Sequence, residues 1–306
     1  MRTILSSFLI ILTVTLNSAA GFFGNFFSGA GRKEMQYGAT ADEKADLYLL
    51  SGRDNPAVIF IHGGAWAGGD KSFYASYYAK KYAAAGLSVV ALNYRLVKAG
   101  DPATQWPAQL QDAQLAIRWV RANAGKFGID PDRICLFGDS AGGHIATFAG
   151  ALDERMEGDR SELYADMPQA VSCVVNMFGP SDFTDPEQLK VLNNLALLGG
   201  QSYAQAPELY ENASPVNAIT GRSAPVLMIQ GLQDKIVPPS QAARLDKKLN
   251  SAHVPHPPIE YFNGGHWFAD PPVRPSSKKN EIDDRALAFI LGYLRPGDKT
   301  AEAAPR

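Results

Sequence analysis

The sequence has few cysteines and no concentration of basic charge. Two of its 306 residues are cysteine, Cys135 and Cys173, which excludes a framework of disulfides, and no cysteine–histidine cluster indicates a metal site. Both lie in apolar runs that are typical of buried strands, so we expect inert thiols in preference to a disulfide between neighbouring strands. The formal net charge is −2, and the basic cluster that a nucleic-acid partner requires is missing.

Cofactor-binding motifs are missing as well. Neither the G-x-x-x-x-G-K-[ST] phosphate loop nor G-x-G-x-x-G occurs, and the five histidines and the acidic residues are not spaced as metal ligands. We therefore expect no cofactor and no metal. What remains is the composition of a globular protein, 46% hydrophobic and 20% charged, in a chain long enough to bury a sizeable core.

The N-terminus has the composition of an export signal. Arg2 supplies a positive charge, residues 4–16 form an apolar stretch, and Ser18-Ala19-Ala20 provides the small residues that signal peptidase recognises. The stretch is shorter than the roughly 20 residues that span a bilayer, although nearby phenylalanines leave an uncleaved anchor as the alternative. We predict a signal peptide over residues 1–20, a secreted or periplasmic protein, and no stable membrane insertion.

From residue 45 onwards, short apolar runs alternate with longer amphipathic ones. The pattern predicts buried strands over residues 56–61, 87–92, 133–137, 171–178, 225–230 and 259–262, and helices over residues 105–127, 141–152, 240–249 and 284–294. Continuous apolar strands separated by helices predict an α/β fold, with a mostly parallel sheet covered on both faces. We assign residues 21–44 to a lead-in, 45–295 to a single α/β domain and 296–306 to a disordered tail. Residues 179–224 form an insertion too small to be a lid domain.

The strongest chemical signal is the sequence Gly138-Asp139-Ser140-Ala141-Gly142-Gly143, between a predicted strand and a predicted helix. It fits the G-x-S-x-G pattern of a nucleophile elbow, in which a serine lies on a sharp strand-to-helix turn. Small neighbours are needed because the turn is strained. The N-terminus of the following helix adds free N–H groups that favour a developing oxyanion. We predict that Ser140 is a nucleophile.

A nucleophilic serine needs a base and an acid that orients the base, and on this scaffold the chain order is Ser, Asp or Glu, His. Asp234 follows the fifth predicted strand and His266 the sixth, so both lie at the carboxyl edge of the sheet, where ligands bind. Asp182 also follows a strand and is the rival acid. His62 precedes the serine, and His144 lies one helical turn past it, where its ring would pack and not reach the hydroxyl. We predict that His266 is the base and Asp234 the acid.

The oxyanion of a tetrahedral intermediate requires backbone donors. One is the N–H of Ala141, directly after the nucleophile. The others are expected in His62-Gly63-Gly64-Ala65-Trp66, which follows the first strong strand and whose glycines let the main chain approach a substrate. We predict N–H donors at Gly64, Ala65 and Ala141, with Gly63 as the turn residue.

With these motifs, the sequence resembles the α/β-hydrolase serine carboxylesterases, in the group that contains acetyl-xylan and feruloyl esterase-like and hormone-sensitive-lipase-like enzymes. The resemblance covers about residues 45–294 and rests on the HGGAW sequence with its following G-D-K, Asn93-Tyr94-Arg95-Leu96, the GDSAGG elbow, and the Asp234 and His266 turns. The HGGAW form differs from the HGGG of the hormone-sensitive-lipase subgroup, and the N-terminus offers little material for that subgroup's helical cap. The resemblance implies an α/β-hydrolase fold without a large cap domain, and an open site.

The resemblance also implies an activity. A serine hydrolase of this group would cleave short-chain acyl or aryl-acyl esters, on small molecules or polysaccharides, through an acyl-enzyme formed on Ser140 and without a cofactor. An arylformamidase, which would use the same three residues on an N-formyl group, is the alternative enzyme. A catalytically inactive binding module on the same fold is the alternative outside the enzymes.

Overall fold

The computed structural model describes residues 31–154, 162–266 and 277–295. In these ranges the strands are β1 (Lys33–Gln36), β2 (Lys44–Tyr48), β3 (Asn55–Ile61), β4 (Ser88–Leu92), β5 (Ile129–Asp139), β6 (Cys173–Met177), β7 (Val226–Gly231) and β8 (Glu260–Phe262). The α-helices are α1 (Ser72–Ala84), α2 (Ala108–Ala122), α3 (Ala124–Phe127), α4 (Ala141–Ala151), α5 (Pro186–Leu192), α6 (Pro207–Asn212), α7 (Pro215–Ala218), α8 (Ser240–Ser251) and α9 (Ser277–Leu294). Short 3-10 helices cover Pro102–Thr104 and Ala196–Leu198.

The strands form one sheet in the order β1-β2-β4-β3-β5-β6-β7-β8. The pairs β1–β2 and β2–β4 are antiparallel, and every other pair is parallel. The predicted α/β fold with a mostly parallel sheet is therefore confirmed. The sheet begins at Lys33, so the stretch at residues 21–44, predicted to be a lead-in, contains β1 and the first residue of β2.

Helices cover both faces of this sheet. Adjacent residues of each central strand point to opposite faces, so each strand packs against both helix layers. On one face, Leu136 of β5 lies in a buried cluster with Ile117 of α2 and Ile145 of α4. On the other face, Phe137 lies in a second cluster with Tyr82 of α1 and Ile290 of α9. The continuous apolar strands of the sequence are thus strands with two buried faces.

The two cysteines form a disulfide, so the expectation of two thiols was wrong. Cys135 of β5 and Cys173 of β6 are paired in register on neighbouring parallel strands, and both are completely buried. Their Cα atoms are 4.7 Å apart, which is within the range that a disulfide can bridge. The bond closes a loop of 38 residues that contains the predicted elbow and α4.

The predicted signal peptide at residues 1–20 and the predicted tail at residues 296–306 lie outside the described residues. Within the described ranges, none of the helices combines the length and the apolar character that a membrane crossing requires.

Candidate active site

Ser140 lies at the turn from β5 into α4 in an unusual backbone conformation. Its φ is 49° and its ψ is −121°, a region that costs a residue with a side chain about 1–3 kcal/mol. The turn is held by the Ser140 N–H, which donates to the carbonyl oxygen of Met177 at 2.9 Å. It also depends on close packing, because a Cβ atom at Gly142 would collide with the carbonyl oxygen of Ile61. The nucleophile elbow predicted from the sequence is therefore present in shape, with Ser140 at its apex.

A chain of hydrogen bonds joins three of the predicted site residues. His266 Nε2 lies 2.9 Å from Ser140 Oγ, and His266 Nδ1 lies 2.6 Å from Asp234 Oδ2. A carboxylate only accepts hydrogen bonds, so Nδ1 carries the proton and Nε2 is the acceptor for the serine hydroxyl. All three residues are buried, with exposures of 8% for Ser140, 4% for Asp234 and 9% for His266. This arrangement can move a proton from Ser140 to His266.

The Asp234 carboxylate is fixed from its other side by the turn that follows β7. Its Oδ1 accepts the backbone N–H groups of Ile236 and Val237, each at 2.9 Å. Gln230 Nε2 approaches Oδ2 at 3.5 Å while donating to the carbonyl oxygen of Val237 at 2.9 Å. Gln230 was not among the predicted site residues, although a glutamine at the end of an apolar run, four positions before the predicted acid, is a signal for it.

Asp182, the rival acid, is engaged elsewhere. Its Oδ2 accepts a hydrogen bond from Arg244 Nη1 at 2.8 Å, and its Oδ1 accepts the hydroxyl of Thr184 at 2.6 Å. The structure therefore brings Asp234, and not Asp182, to His266.

The loop after β3 lies beside the elbow and has a strained main chain. Gly64, Ala65 and Trp66 have φ values of 121°, 51° and 60°, and the left-handed conformation costs a non-glycine residue about 1–2 kcal/mol. The N–H of Gly63 donates to Asp139 Oδ1 at 2.8 Å, which ties the loop to the residue before Ser140.

Several N–H groups of this loop have no acceptor within the protein, and two of the predicted donors are among them. The N–H groups of Ala67 and Gly68 donate to the carbonyl oxygen of Gly64. Among the residues that the structure describes, the N–H groups of Gly64, Ala65 and Trp66 have no protein acceptor. Ala141 is the first residue of α4, where a helix leaves its N–H groups without an intrahelical partner. The three predicted donors, at Gly64, Ala65 and Ala141, are therefore available to a ligand oxygen.

His62 supports the loop and is not placed as a base. Its ring stacks on Tyr94 with a centroid separation of 4.4 Å, and the Tyr94 hydroxyl donates to the His62 carbonyl oxygen at 2.8 Å. Its Nδ1 lies 2.7 Å from the carbonyl oxygen of Gly63. Burial lowers the pKa of His62, so the ring is neutral and Nδ1 donates to this carbonyl.

The end of the loop is fastened by the G-D-K and N-Y-R-L sequences. Asp70 Oδ2 accepts from Asn93 Nδ2 at 2.8 Å, and Asn93 Oδ1 accepts the Lys71 N–H at 2.6 Å. Burial raises the pKa of Asp70, but hydrogen bonds from Ser72 and Asn93 outweigh this and lower it to about 2. Asp70 is therefore ionised at any ordinary pH and holds the loop through charge-assisted hydrogen bonds.

An aromatic residue also contacts the predicted base. The ring of Phe178 lies 4.7 Å from that of His266, and Phe178 has a left-handed φ of 43° at the end of β6. No local pattern in the sequence points to this contact. Elsewhere in the described ranges, no group of three or more histidine, cysteine or acidic side chains is placed to hold a metal ion.

Comparison with known proteins places the chain in a family. The profile of the BD-FAE family matches residues 45–249. Esterase LipC of Mycobacterium tuberculosis is 29% identical over 251 residues, which cover 78% of this chain and 60% of LipC. The isoprenylcysteine alpha-carbonyl methylesterase ICME of Arabidopsis thaliana is 28% identical over 300 residues, covering 93% of this chain and 68% of ICME. The chain spans about half to three fifths of the length of LipC and of two further M. tuberculosis relatives, LipM and LipQ.

Solved structures show the same fold. A truncated carbohydrate esterase from gut microbiota superimposes with a TM-score of 0.71 at 25% identity, covering 86% of this chain and 96% of that one. Esterase Est2 of Thermogutta terrifontis superimposes with a TM-score of 0.68 at 22% identity, covering 89% and 95%. The fold is that of the α/β-hydrolases. Because the BD-FAE profile matches well over half of the residues of this chain, the chain belongs to the BD-FAE family.

Proposed function

We propose that the protein is a serine hydrolase that cleaves carboxylic esters, with Ser140 as nucleophile, His266 as general base and Asp234 as the acid that orients the base. The observation that carries this proposal is the hydrogen-bonded chain from Asp234 Oδ2 through His266 to Ser140 Oγ. The names of the relatives support it, because LipC and ICME are both described as esterases.

The geometry suits a two-step acyl transfer. Ser140 Oγ attacks the acyl carbon, His266 Nε2 takes the hydroxyl proton, and the carbonyl electron pair moves onto the oxygen. The oxyanion is stabilised by the N–H groups of Gly64, Ala65 and Ala141, each worth about 3 kcal/mol. The ester C–O bond then breaks, and His266 returns its proton to the leaving alcohol. Water then attacks the acyl-enzyme while His266 takes its proton. The bond between the acyl carbon and Ser140 Oγ breaks, the acid is released, and His266 returns the proton to Ser140 Oγ.

Asp234 contributes by orientation and charge. It holds the Nδ1–H tautomer of His266 and stabilises the imidazolium that forms when the serine proton is taken. The backbone hydrogen bonds to its Oδ1 keep the carboxylate in the plane where it can do this.

The proposed substrates are short-chain acyl or aryl-acyl esters, including esters carried on polysaccharides. Support comes from the carbohydrate esterase that shares the fold at 25% identity. The insertion at residues 179–224 adds only short helices, α5, α6 and α7, of 7, 6 and 4 residues. An open site, which the resemblance implies, would suit an ester on a bulky carrier.

The proposed location is outside the cytoplasm, after cleavage of residues 1–20. The apolar run and small residues of the N-terminus support export. The buried Cys135–Cys173 disulfide is consistent with it, because such bonds form and persist in oxidising compartments. N-terminal sequencing of the exported protein should give a start at Gly21, and retention of Met1 would contradict the proposed cleavage.

The activity is tested by initial rates on a panel of substrates. The panel holds p-nitrophenyl esters from acetyl to decanoyl, methyl ferulate, acetylated xylan and N-formylkynurenine, with Ser140→Ala as the control. We expect turnover of acetyl or feruloyl esters and nearly complete loss in Ser140→Ala with the fold intact. Turnover confined to N-formylkynurenine would make the protein an arylformamidase. Absence of both turnover and stoichiometric labelling of Ser140 by an organophosphonate would make it an inactive module.

A further inference from the structure

A histidine that the proposed reaction does not use connects the oxyanion loop to the insertion. His144 lies on α4, one turn after Ser140, and is completely buried. Its Nδ1 is 3.1 Å from Trp66 Nε1, and its Nε2 is 2.8 Å from the carbonyl oxygen of Ala213. An indole nitrogen only donates, so Nδ1 is the acceptor, and Nε2 carries the proton and donates to Ala213. Both ring nitrogens are therefore occupied in a single tautomer.

The surroundings of His144 keep its ring in this state. Phe183 stacks on it with a centroid separation of 4.9 Å, and the rings of Trp106 and Trp66 lie 5.0 Å and 5.3 Å away. Burial lowers the pKa of His144 to about 4. The ring is neutral near pH 7, so Nδ1 keeps the lone pair that receives the indole N–H.

Trp66 belongs to the strained part of the oxyanion loop, where a left-handed main chain persists only if the surroundings hold it. Its carbonyl oxygen accepts the N–H of Val97 at 2.8 Å, which holds the main chain. Its side chain is buried against Phe183 and bonded to His144. Trp66 is thus held through both its main chain and its side chain, and it directly follows the predicted donors Gly64 and Ala65.

We propose that His144 is a positioning residue for the oxyanion loop. By accepting the Trp66 indole N–H, it holds the N–H groups of Gly64 and Ala65 where the acyl oxyanion forms. Its second hydrogen bond, from Nε2 to the carbonyl oxygen of Ala213, fixes the tautomer in which Nδ1 is the acceptor. The inference rests on the proposed function, because the ligand of these donors is the oxyanion of the ester reaction.

A matched pair of tryptophan substitutions tests the link. Trp66→Phe and Trp106→Phe each remove the indole N–H of a ring that packs on His144. The N–H of Trp66 bonds His144, whereas that of Trp106 has no acceptor among the described residues. We expect Trp66→Phe to lower kcat on p-nitrophenyl acetate by about ten- to a hundredfold with KM changed less than about twofold. Trp106→Phe should change both constants by less than about twofold.

A second pair tests the acceptor itself. His144→Asn keeps an acceptor oxygen near the position of Nδ1, whereas His144→Leu keeps none. We expect His144→Asn to retain most of the wild-type kcat. We expect His144→Leu to lower kcat by the same factor as Trp66→Phe. Near-ultraviolet circular dichroism and urea midpoints show which variants are folded, and the tryptophan pair still gives a result if His144→Leu is not.

An oxyanion analogue separates positioning from general damage. Ser140 Oγ adds to the carbon of a trifluoromethyl ketone, the hydroxyl proton passes to His266, and the ketone oxygen becomes a bound oxyanion. In Trp66→Phe the inhibition constant should rise by the same factor by which kcat/KM falls. Equal kcat and equal inhibition constants in Trp66→Phe and Trp106→Phe would overturn the proposal.

The failure of the proposed function gives a different result. If the wild-type protein cleaves no substrate of the panel, the rate at which a fluorophosphonate labels Ser140 still tests His144. In that step Ser140 Oγ displaces fluoride from phosphorus, His266 takes the proton, and the phosphoryl oxygen occupies the same donors. Slower labelling in Trp66→Phe than in Trp106→Phe supports the positioning role, and equal rates overturn it. A wild-type protein that neither turns over nor is labelled overturns both proposals.

Discussion

Acidification should destabilise the folded protein through His144. Burial in an aromatic cluster lowers the pKa of this imidazole from 6.5 to about 4. Between these values the unfolded chain binds a proton that the folded protein does not, so stability rises with pH across the interval. The contribution is complete above about pH 6.5 and is lost as the pH falls towards 4.

The size of this effect follows from the two pKa values. The interval from 6.5 to about 4 corresponds to about 3 kcal/mol in the free energy of unfolding when it is crossed completely. Between pH 7 and pH 5, the loss due to this single group is about 2 kcal/mol. That is a measurable share of the roughly 5–15 kcal/mol that separates folded from unfolded states in ordinary proteins.

The assay compares the pH dependence of two proteins, which cancels the titration of all other groups. Urea unfolding of the wild type and of His144→Asn, followed by tryptophan fluorescence, is measured at pH 7 and pH 5. Between pH 7 and pH 5, the free energy of unfolding should fall by about 2 kcal/mol more in the wild type than in the variant. His253→Gln, which removes an exposed imidazole, is the control for the loss of a histidine. Equal losses in the wild type and His144→Asn would refute the reasoning.

Three further changes have definite expected outcomes. Asp234→Asn should reduce kcat by about 10⁴-fold while Asp182→Asn retains turnover within about tenfold, and initial rates in the reverse order would move the role of acid to Asp182. Replacing both Cys135 and Cys173 by alanine should lower the free energy of unfolding by about 4 kcal/mol for a loop of 38 residues, and an unchanged urea midpoint would contradict this. Gly142→Ala should displace the elbow and lower kcat by at least about tenfold, so wild-type rates would show that the turn relaxes freely.

The central strands could be predicted from the sequence, whereas the strands at one edge could not. The strands β3, β4, β6 and β7 coincide with predicted apolar runs to within two residues, because a strand buried on both faces is apolar at nearly every position. β5 begins at Ile129, before its apolar run, and β8 was found although only its last residue is buried. β1 is short and largely exposed, so its sequence carries no such run. Helix α1 was also missed, since its tyrosines and lysines give little of the periodicity by which a helix is recognised.

The candidate site also has features that could be predicted from the sequence and features that could not. Chain order and position at strand ends predicted that Ser140, Asp234 and His266 meet at one edge, and the structure places them in contact, while their catalytic roles stay predictions. The disulfide depends on the register of two strands, which no local pattern encodes. The bond between His144 and Trp66 joins residues 78 positions apart and became visible only in three dimensions.

The backbone conformation that the elbow requires at Ser140 lowers the stability of the fold. At a φ of 49° and a ψ of −121°, glycine has less backbone strain than serine, and Ser140→Gly would relieve about 1–3 kcal/mol of strain. A selection for heat resistance alone would therefore favour glycine at the apex and discard the hydroxyl. Screens for thermostable variants that omit an activity readout should accumulate changes at this position, and the elbow marks a point where tolerance of heat and turnover are in opposition.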